Sequence, residues 1–493
     1  MLNLKVNNII DTFLNPKSVA VIGASKNPLK GGHRILKNLI ANNFKGDIYP
    51  VNINSTGKVL GLEFKKSVLD IENDLDVVVF YVPNQSIPTI LEECVQKGVK
   101  GAIIEASGFE EVGNKGLELR DQIVDITENF SKIRIVGPNC MGLTRIDGDS
   151  DNEDKGGFFT SFLVFNEYKR GNIAIISQSG MLNGGYFTHL VTKYPYLGFR
   201  YICTIGNKMD LSELEFLDYF LSDPEIKVIA MYLESFKDPR KFIKLCEKAK
   251  DLQNKTIILT KGGLTSQGQK STISHTASLS ENSKLTEATI KQSGIIQARN
   301  FYDLFEFART FSWMYATNKT LPKHGGVAQI FGSGGAGTIS ADLTMQYGLK
   351  LPLFKEETYS VLVDLFPEWM PPNKFAFVDI WPALEKAMTI GINPGDIIRK
   401  VYATLLEEPE IEGIFNMLFC SKQFRVVNDV NYLIDIISTY PKPVFLFLVG
   451  EYDEVRLVTQ QLSKHSIPSF SNLEDMVKNF RILLQDSNKK LIK

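Results

Sequence analysis

The sequence predicts an α/β protein of three consecutive domains. A chain of 493 residues, at roughly 150 per domain, implies about three separate cores. Short, fully apolar, β-branched runs recur along it at even spacing. Stretches with helical periodicity separate them, a rhythm that marks βαβ units and parallel sheets covered on both faces.

The first set of runs is SVAVIG (18–23), IYPVN (48–52), DVVVFYV (76–82), GAIIEA (101–106) and IRIVG (133–137). Helical segments such as HRILKNLIANN and IPTILEECVQKG lie between them. A polar stretch, GDSDNEDKGG (148–157), breaks the pattern and reads as a linker or flap. The rhythm resumes with NIAIISQSG, RYICTIGN, KVIAMYLE and TIILTKGG, and ends in a helix at about 300–318. A second break, NKTLPKHGG (318–326), leads to GVAQIFGSGGAG, GIFNMLF and VFLFLV. The expected domains are 1–146, 147–320 and 321–493. The segments IAIISQSGMLNGGYFTHLV and VAQIFGSGGAGTISADLTM share one plan: a buried strand, a Ser/Gly-rich turn and a helix start.

Composition excludes several function classes. With 44% hydrophobic and 23% charged residues, the chain is an ordinary globular protein. The net charge is −1 and no basic stripe occurs, which argues against nucleic acid as a partner. No run approaches 18 apolar residues, so no membrane span is expected. The N-terminal residues lack the apolar core of a signal peptide. Five scattered cysteines without C-x-x-C spacing suggest free thiols in a reducing, cytoplasmic setting.

Four places carry candidate chemistry. The turn VIGASKNPLKGG (21–32) follows the first strand, where free N–H groups and the helix dipole favour an anion. A NAD site would want G-x-G-x-x-G and an acid ending the second strand. Here that strand ends in Val51 and Asn52, which suits coenzyme A better. Gly23, Ala24, Ser25 and Asn52 are the candidates. SQSGML (177–182) and GSGGAG (332–337) are two further strand–turn–helix anion sites, with Ser177, Gln178, Ser179, Gly180, Gly334 and Gly335 as phosphate-binding candidates. Glu234 closes an apolar strand at its carboxyl end, where such folds place their sites, and can accept a hydrogen bond from an imidazole. Finally, STISHTASLS (271–280) sets His275 among six hydroxyl side chains. No second ligand at metal spacing and no G-x-S-x-G elbow accompanies it.

In this order, the pieces resemble the α subunit of the NDP-forming acyl-CoA synthetases, of the ADP-forming acetate–CoA ligase type, with succinyl-CoA synthetase a distant relative. FLNPKSVAVIGAS, IYPVN, KGVKGAIIEASGF, VGPNCMG, GNIAIISQSG, TIGNKMDLSELEFLDYFLSDPEIKVIAMYLES and SHTASLS carry the resemblance across residues 11 to 310; GGAG and PEWMPPNKFAFVDIW extend it more loosely. It implies a Rossmann-like CoA-binding domain and two flavodoxin-like ligase domains. It also implies that His275 takes a phosphoryl group and that Glu234 orients it. The S-G-F and G-P-N-C turns add Ser107, Gly108, Asn139 and Cys140 to the coenzyme A candidates.

The implied reaction interconverts acyl-CoA, phosphate and ADP with a carboxylic acid, CoA and ATP, through an acyl phosphate and a phosphohistidine. Nothing in the sequence resembles an ATP-grasp domain, so ADP/ATP and Mg2+ are expected on a separate ATP-grasp β subunit in a hetero-oligomer. The second reading is a CoA- or acyl-CoA-binding regulatory protein without catalysis. Departures from the family pattern stand at Ala277 and Glu281, where glycines are usual, and at Ala376-Phe377-Val378-Asp379, in place of N-P-V-D. Trp369, Trp381 and Phe377 are candidates for lining an acid pocket. The identity of the acid is left open.

Overall fold

The computed structural model describes residues 3–152, 155–163, 165–194, 196–252, 254–276, 282–425 and 430–491, with backbone alone for 3–8, 273–276 and 491. The chain divides into two compact units, Met1–Ala308 and Arg309–Lys493.

Among the described residues, the first unit holds two large sheets and a small antiparallel ribbon, Lys58–Val59 with Leu62–Glu63. Strands β1 (Ser18–Ile22), β2 (Asp47–Val51), β3 (Val77–Phe80), β4 (Gly101–Ile104) and β5 (Arg134–Val136) form a parallel sheet in the order β2-β1-β3-β4-β5. The residues of β1, β3 and β4 are all buried, as near-continuous Val and Ile runs require. Helices α1 (Asn3–Leu14), α2 (Gly31–Ala41), α3 (Ile87–Lys97) and α4 (Asn114–Ile126) accompany this sheet.

The second sheet has seven strands. These are β6 (Leu143–Ile146), β7 (Gly157–Phe159), β8 (Lys169–Ser177), β9 (Gly198–Thr204), β10 (Val228–Leu233), β11 (Thr256–Lys261) and β12 (Ile296–Ala298), in the order β12-β11-β10-β8-β9-β6-β7. The last two pairings, β9·β6 and β6·β7, are antiparallel. The sequence reading missed β6, β7 and β12, because three- and four-residue strands give too little pattern to count. Five helices accompany it: α5 (Gly185–Lys193), α6 (Glu213–Ser222), α7 (Pro239–Asp251), α8 (Ser266–Thr276) and α9 (Ser283–Ser293); α10 (Phe301–Ala316) follows. One apolar cluster runs from Val19, Val21 and Val79 through Cys140, Leu143 and Phe158 to Ala174 and Met231, so both sheets share a core. The polar stretch after residue 146 is a tied turn: Lys169 pairs with Asp149 and Asp151, and Arg145 and Arg200 both reach Asp147 at 2.6 Å.

The second unit is built on β13 (Val327–Phe331), β14 (Phe377–Asp379), β15 (Gly413–Cys420), β16 (Val444–Gly450) and β17 (Ser469–Phe470), parallel in the order β14-β13-β15-β16-β17. Its helices are α11 (Gly334–Gln346), α12 (Glu356–Leu365), α13 (Trp381–Thr389), α14 (Pro394–Glu407), α15 (Val430–Thr439), α16 (Tyr452–Lys464) and α17 (Leu473–Leu491). Ala328, Val378, Val401, Ile414 and Leu446 lie in its core.

Candidate active site

A cleft of about 1460 Å³ opens at the carboxyl ends of the strands in the first unit. It is where open parallel sheets place ligands. Three turns of the first sheet shape one side of it. After β1, Gly23 has φ +88°, and a Cβ there would stand 2.2 Å from the Tyr81 carbonyl oxygen. A Cβ on Gly31 would meet the Tyr81 ring at 2.2 Å. Gly23 therefore needs glycine, while at Gly31 the Tyr81 ring packs directly on the backbone, and the close approach lets the start of α2 face the cleft. Asn52 donates through Nδ2 to the Ala24 carbonyl at 2.7 Å and fixes the loop after β2. After β4, the Asn139 N–H donates to the Ala106 carbonyl at 2.9 Å, joining the two turns at Ser107 and Asn139.

The other side belongs to the turn after β8. Gln178, Ser179, Gly180 and Met181 line the same cleft as Gly23, Asn52, Ser107, Asn139 and Cys140. The candidate coenzyme A residues and one candidate phosphate turn thus meet in one space. Ala24, Ser25 and Gly108 do not line it, and neither does Ser177. The Ser177 hydroxyl is buried and turns back on its own loop. It accepts from the Ser179 N–H at 3.0 Å and donates to the Ser179 carbonyl at 2.8 Å.

The expected helix start at this turn takes another form. Gly180–Asn183 is a 3₁₀ turn, and α5 begins only at Gly185. The reason is Asn183, whose Nδ2 donates to the Met141 carbonyl at 3.1 Å and holds the segment against the first sheet's last turn. The first N–H groups of such a turn have no acceptor within it, and here they belong to cleft-lining residues.

Gln178 links the turn to Glu234. Its Oε1 accepts from the N–H groups of Glu234 at 2.5 Å and Ser235 at 3.0 Å. Glu234 is buried, and its Oε1 accepts from the Tyr232 hydroxyl at 3.1 Å. The backbone carbonyl of Glu234 accepts from Lys261 Nζ at 2.7 Å. A buried ion pair, Lys208–Glu213 at 2.8 Å, braces the same segment, because Lys208 Nζ also donates to the Ser235 carbonyl at 2.7 Å. Sequence reasoning quoted this stretch without assigning these two residues a role.

His275 falls in α8, which follows the turn after β11 and lies against the 3₁₀ turn Glu110–Val112 of the first sheet's layer. Its side chain lies outside the described residues, as do Ala277 and Glu281. The Thr272 hydroxyl of the same helix donates to the Gly268 carbonyl at 2.9 Å, an internal helix bond.

One residue in the cleft escaped the sequence reading. Glu105 directly follows the apolar run of β4 just as Glu234 directly follows that of β10, so the same strand-end signal was available. Glu105 is buried, lines the cleft beside Cys140, and neither carboxyl oxygen has a hydrogen-bond partner. Burial without a partner pushes its carboxyl well above the usual carboxylate range. Burial likewise raises the Cys140 thiol, so Cys140 is held as a neutral group that packs, donating to the Ile104 carbonyl at 3.3 Å.

In the second unit, Ser333 caps α11 by accepting from the Ala336 N–H at 3.4 Å. A Cβ on Gly334 or Gly335 would meet nothing within 4 Å, so both face open space. The departure at Phe377 is a packing choice: a Cβ on Gly337 would meet the Phe377 ring at 2.1 Å. Asp379 precedes the next helix, its Oδ1 accepting from the Trp381 N–H at 3.3 Å. Of the three aromatic residues expected to line a pocket, Trp381 lines a cavity, while Phe377 and the exposed Trp369 do not. Among the described residues, no cluster of His, Cys, Asp and Glu could hold a metal ion, and no helix is long and apolar enough to cross a membrane.

Known proteins repeat this layout. Residues 17–145 match the CoA binding domain family, and residues 170–311 match the family of succinyl-CoA ligase like flavodoxin domains. The acetate–CoA ligase (ADP-forming) II of Archaeoglobus fulgidus is 35% identical over 464 residues, covering 94% of this chain and 64% of its own length. Subunit alpha of acetate–CoA ligase (ADP-forming) II from Pyrococcus furiosus is 31% identical over 493 residues, covering 97% of this chain and 98% of its own. The chain therefore spans about two thirds of the first relative and nearly all of the second. Among solved structures, a dinucleotide forming acetyl-coenzyme A synthetase 1 of Ca. Korarchaeum cryptofilum, in complex with phosphate and ADP, superposes with a TM-score of 0.83 at 27% identity over 98% of both chains. On this likeness along its whole length, the chain belongs to the family of ADP-forming acetate–CoA ligases.

Proposed function

We propose that the chain is the α part of an ADP-forming acyl-CoA synthetase and carries the acyl and phosphoryl half of the reaction. The observation that supports this most is the shared cleft, where the glycine turn, Asn52 and Ser107 face Gln178, Ser179 and Gly180. The cleft has the volume for a molecule as long as coenzyme A, and the glycines let the backbone come close to it. On this reading Gly23, Asn52, Ser107 and Asn139 hold the coenzyme. The N–H groups at Gly180 and Met181 hold phosphate, with Gln178 and Ser179 lining the cleft beside them, and Gly334 and Gly335 form a second phosphate turn.

Phosphate attacks the thioester carbonyl, the C–S bond breaks, and an acyl phosphate forms. The leaving sulfur needs a proton. Glu105, held neutral by burial, stands in the cleft to give it. A ring nitrogen of His275 then attacks phosphorus, and the acid leaves as its P–O bond breaks. Glu234, fixed through Gln178 and Tyr232, accepts a hydrogen bond from the other ring nitrogen and keeps the attacking one unprotonated. Transfer to ADP with Mg2+ belongs to a separate ATP-grasp chain. Five buried free cysteines support a cytoplasmic setting.

The test is to incubate the purified chain with labelled phosphate and a panel of acyl-CoAs, beside His275→Ala. Protein-bound label that is acid-labile, base-stable and absent from the variant is the expected result. No label with any thioester, even with an ATP-grasp partner added, would turn the reading to a CoA-binding regulator.

A further inference from the structure

Lys208 and Glu213 form an ion pair inside the first unit, with side chains 4% and 0% exposed. A pair so buried adds little to stability, since two apolar side chains of the same volume would fill the space at least as well. Apolar side chains could not, however, donate to a carbonyl. Lys208 Nζ donates to Glu213 Oε2 at 2.8 Å and to the Ser235 carbonyl at 2.7 Å. Glu213 Oε1 accepts from the Lys237 N–H at 2.7 Å, and Lys237 Nζ returns to the Lys208 carbonyl at 3.2 Å. These four bonds close a ring around residues 235–237, which directly follow Glu234. The Lys208 backbone has φ +56°, a region that favours glycine, so the position is held against its local preference.

The same segment is fastened to the first sheet. Asp210 accepts from the Arg134 guanidinium at 2.7 and 2.8 Å and from the Ile135 N–H at 2.8 Å. The Met209 N–H donates to the Gly137 carbonyl at 3.0 Å, and the Asn207 N–H to the Pro138 carbonyl at 2.9 Å. Those two carbonyls lead directly into Asn139, which lines the cleft. Residues 207–213 thus run as one strap from this turn to the strand end that carries Glu234. Gln178 fixes the N–H groups of Glu234 and Ser235, and Lys208 fixes the carbonyl that follows. We propose that Lys208 is a positioning residue whose ammonium sets the Glu234 carboxylate relative to the cleft. It touches no reacting atom. The inference rests on the reading of the chain as an acyl-CoA synthetase in which Glu234 orients His275, and it adds a residue to that machinery.

Two variants test it in the full chain. Lys208→Met alone leaves Glu213 buried without a cation and should melt below the parent. Lys208→Met combined with Glu213→Gln removes both charges, keeps an acceptor for the Lys237 N–H and should regain most of that loss. Each protein is incubated with labelled phosphate and increasing acetyl-CoA, well below its melting temperature, and the rate of His275 labelling is followed. In the double variant the maximal rate should fall by about 10- to 100-fold, the effect of a displaced positioning group. The acetyl-CoA concentration for half-maximal rate should stay within about twofold of the parent's, because the coenzyme turns are untouched. A residue that only supported the fold would lower rate and affinity together, or neither once stability returned. A double variant that labels as fast as the parent therefore overturns the proposal, and so does a parallel loss of affinity. Equal labelling of parent and double variant removes this inference alone. A parent that takes no label from any thioester removes the synthetase reading, and this inference with it.

Discussion

Glu105 is a carboxyl group with no internal partner in the cleft proposed to hold the thioester. An isolated carboxylate cannot stay charged there, because burial removes water and nothing in the protein replaces it. Its folded-state value is raised, so the sign of its pH effect is fixed. Below the ordinary glutamate value, near 4.3, both folded and unfolded chains hold the proton and the site costs nothing extra. As pH rises the unfolded chain loses its proton first, and stability falls until the folded value is passed. Glu105→Gln removes that loss. Its melting temperature should match the parent's near pH 4 and exceed it near pH 8, by an amount equivalent to about 1–3 kcal/mol. Calorimetric scans across pH check this, and coincident curves would mean the carboxyl has a partner after all. The same variant keeps shape but cannot release a proton, so phosphorolysis of acyl-CoA should slow by about 10²–10⁴-fold.

The turn after β8 shows what single segments of sequence could and could not say. Its strand was legible because IAIIS is a continuous apolar run, and Gln-Ser-Gly closing that run marked the turn that lines the cleft. The echo with the turn after β13 suggested two equal helix starts. Only the second is one: Ser333 caps α11 directly, while Asn183 pulls the first into a 3₁₀ turn through a bond to Met141, 42 residues away in sequence. Such a long-range bond leaves no periodic trace. The Glu234 strand end was equally legible, whereas its clamp was not, since Gln178 reaches it across 56 residues of chain. Gln178→Ala should therefore do two things. Two buried N–H groups lose their acceptor, which destabilises by about 1–3 kcal/mol, read as a lower denaturant midpoint. Glu234 also loses its fixed backbone, so His275 labelling should slow more than coenzyme A binding weakens. Equal loss of both would mean that Gln178 only supports the fold.

Taken whole, the chain carries its cleft and the apolar cavity lined by Trp381 in two different compact units. The cleft proposed for coenzyme A lies within Met1–Ala308, where the two large sheets share one apolar cluster, and the apolar cavity lies within Arg309–Lys493 on a separate core. The rhythm of strands foretold three sheets. It did not foretell that the first two would share a core, because Phe158, Cys140 and Leu143 sit in short elements that carry no period of their own. Two units with separate cores should not melt as one, so a calorimetric scan of the full chain should need two transitions. A ligand raises only the transition of the unit that binds it, since the shift comes from binding the folded form. Coenzyme A at about 100 times its dissociation constant adds ~2.7 kcal/mol. Spread over the unfolding entropy of a unit of this size, that is a rise of about 4 °C in one transition and none in the other. If coenzyme A raised both together, the two units would unfold as a single cooperative body.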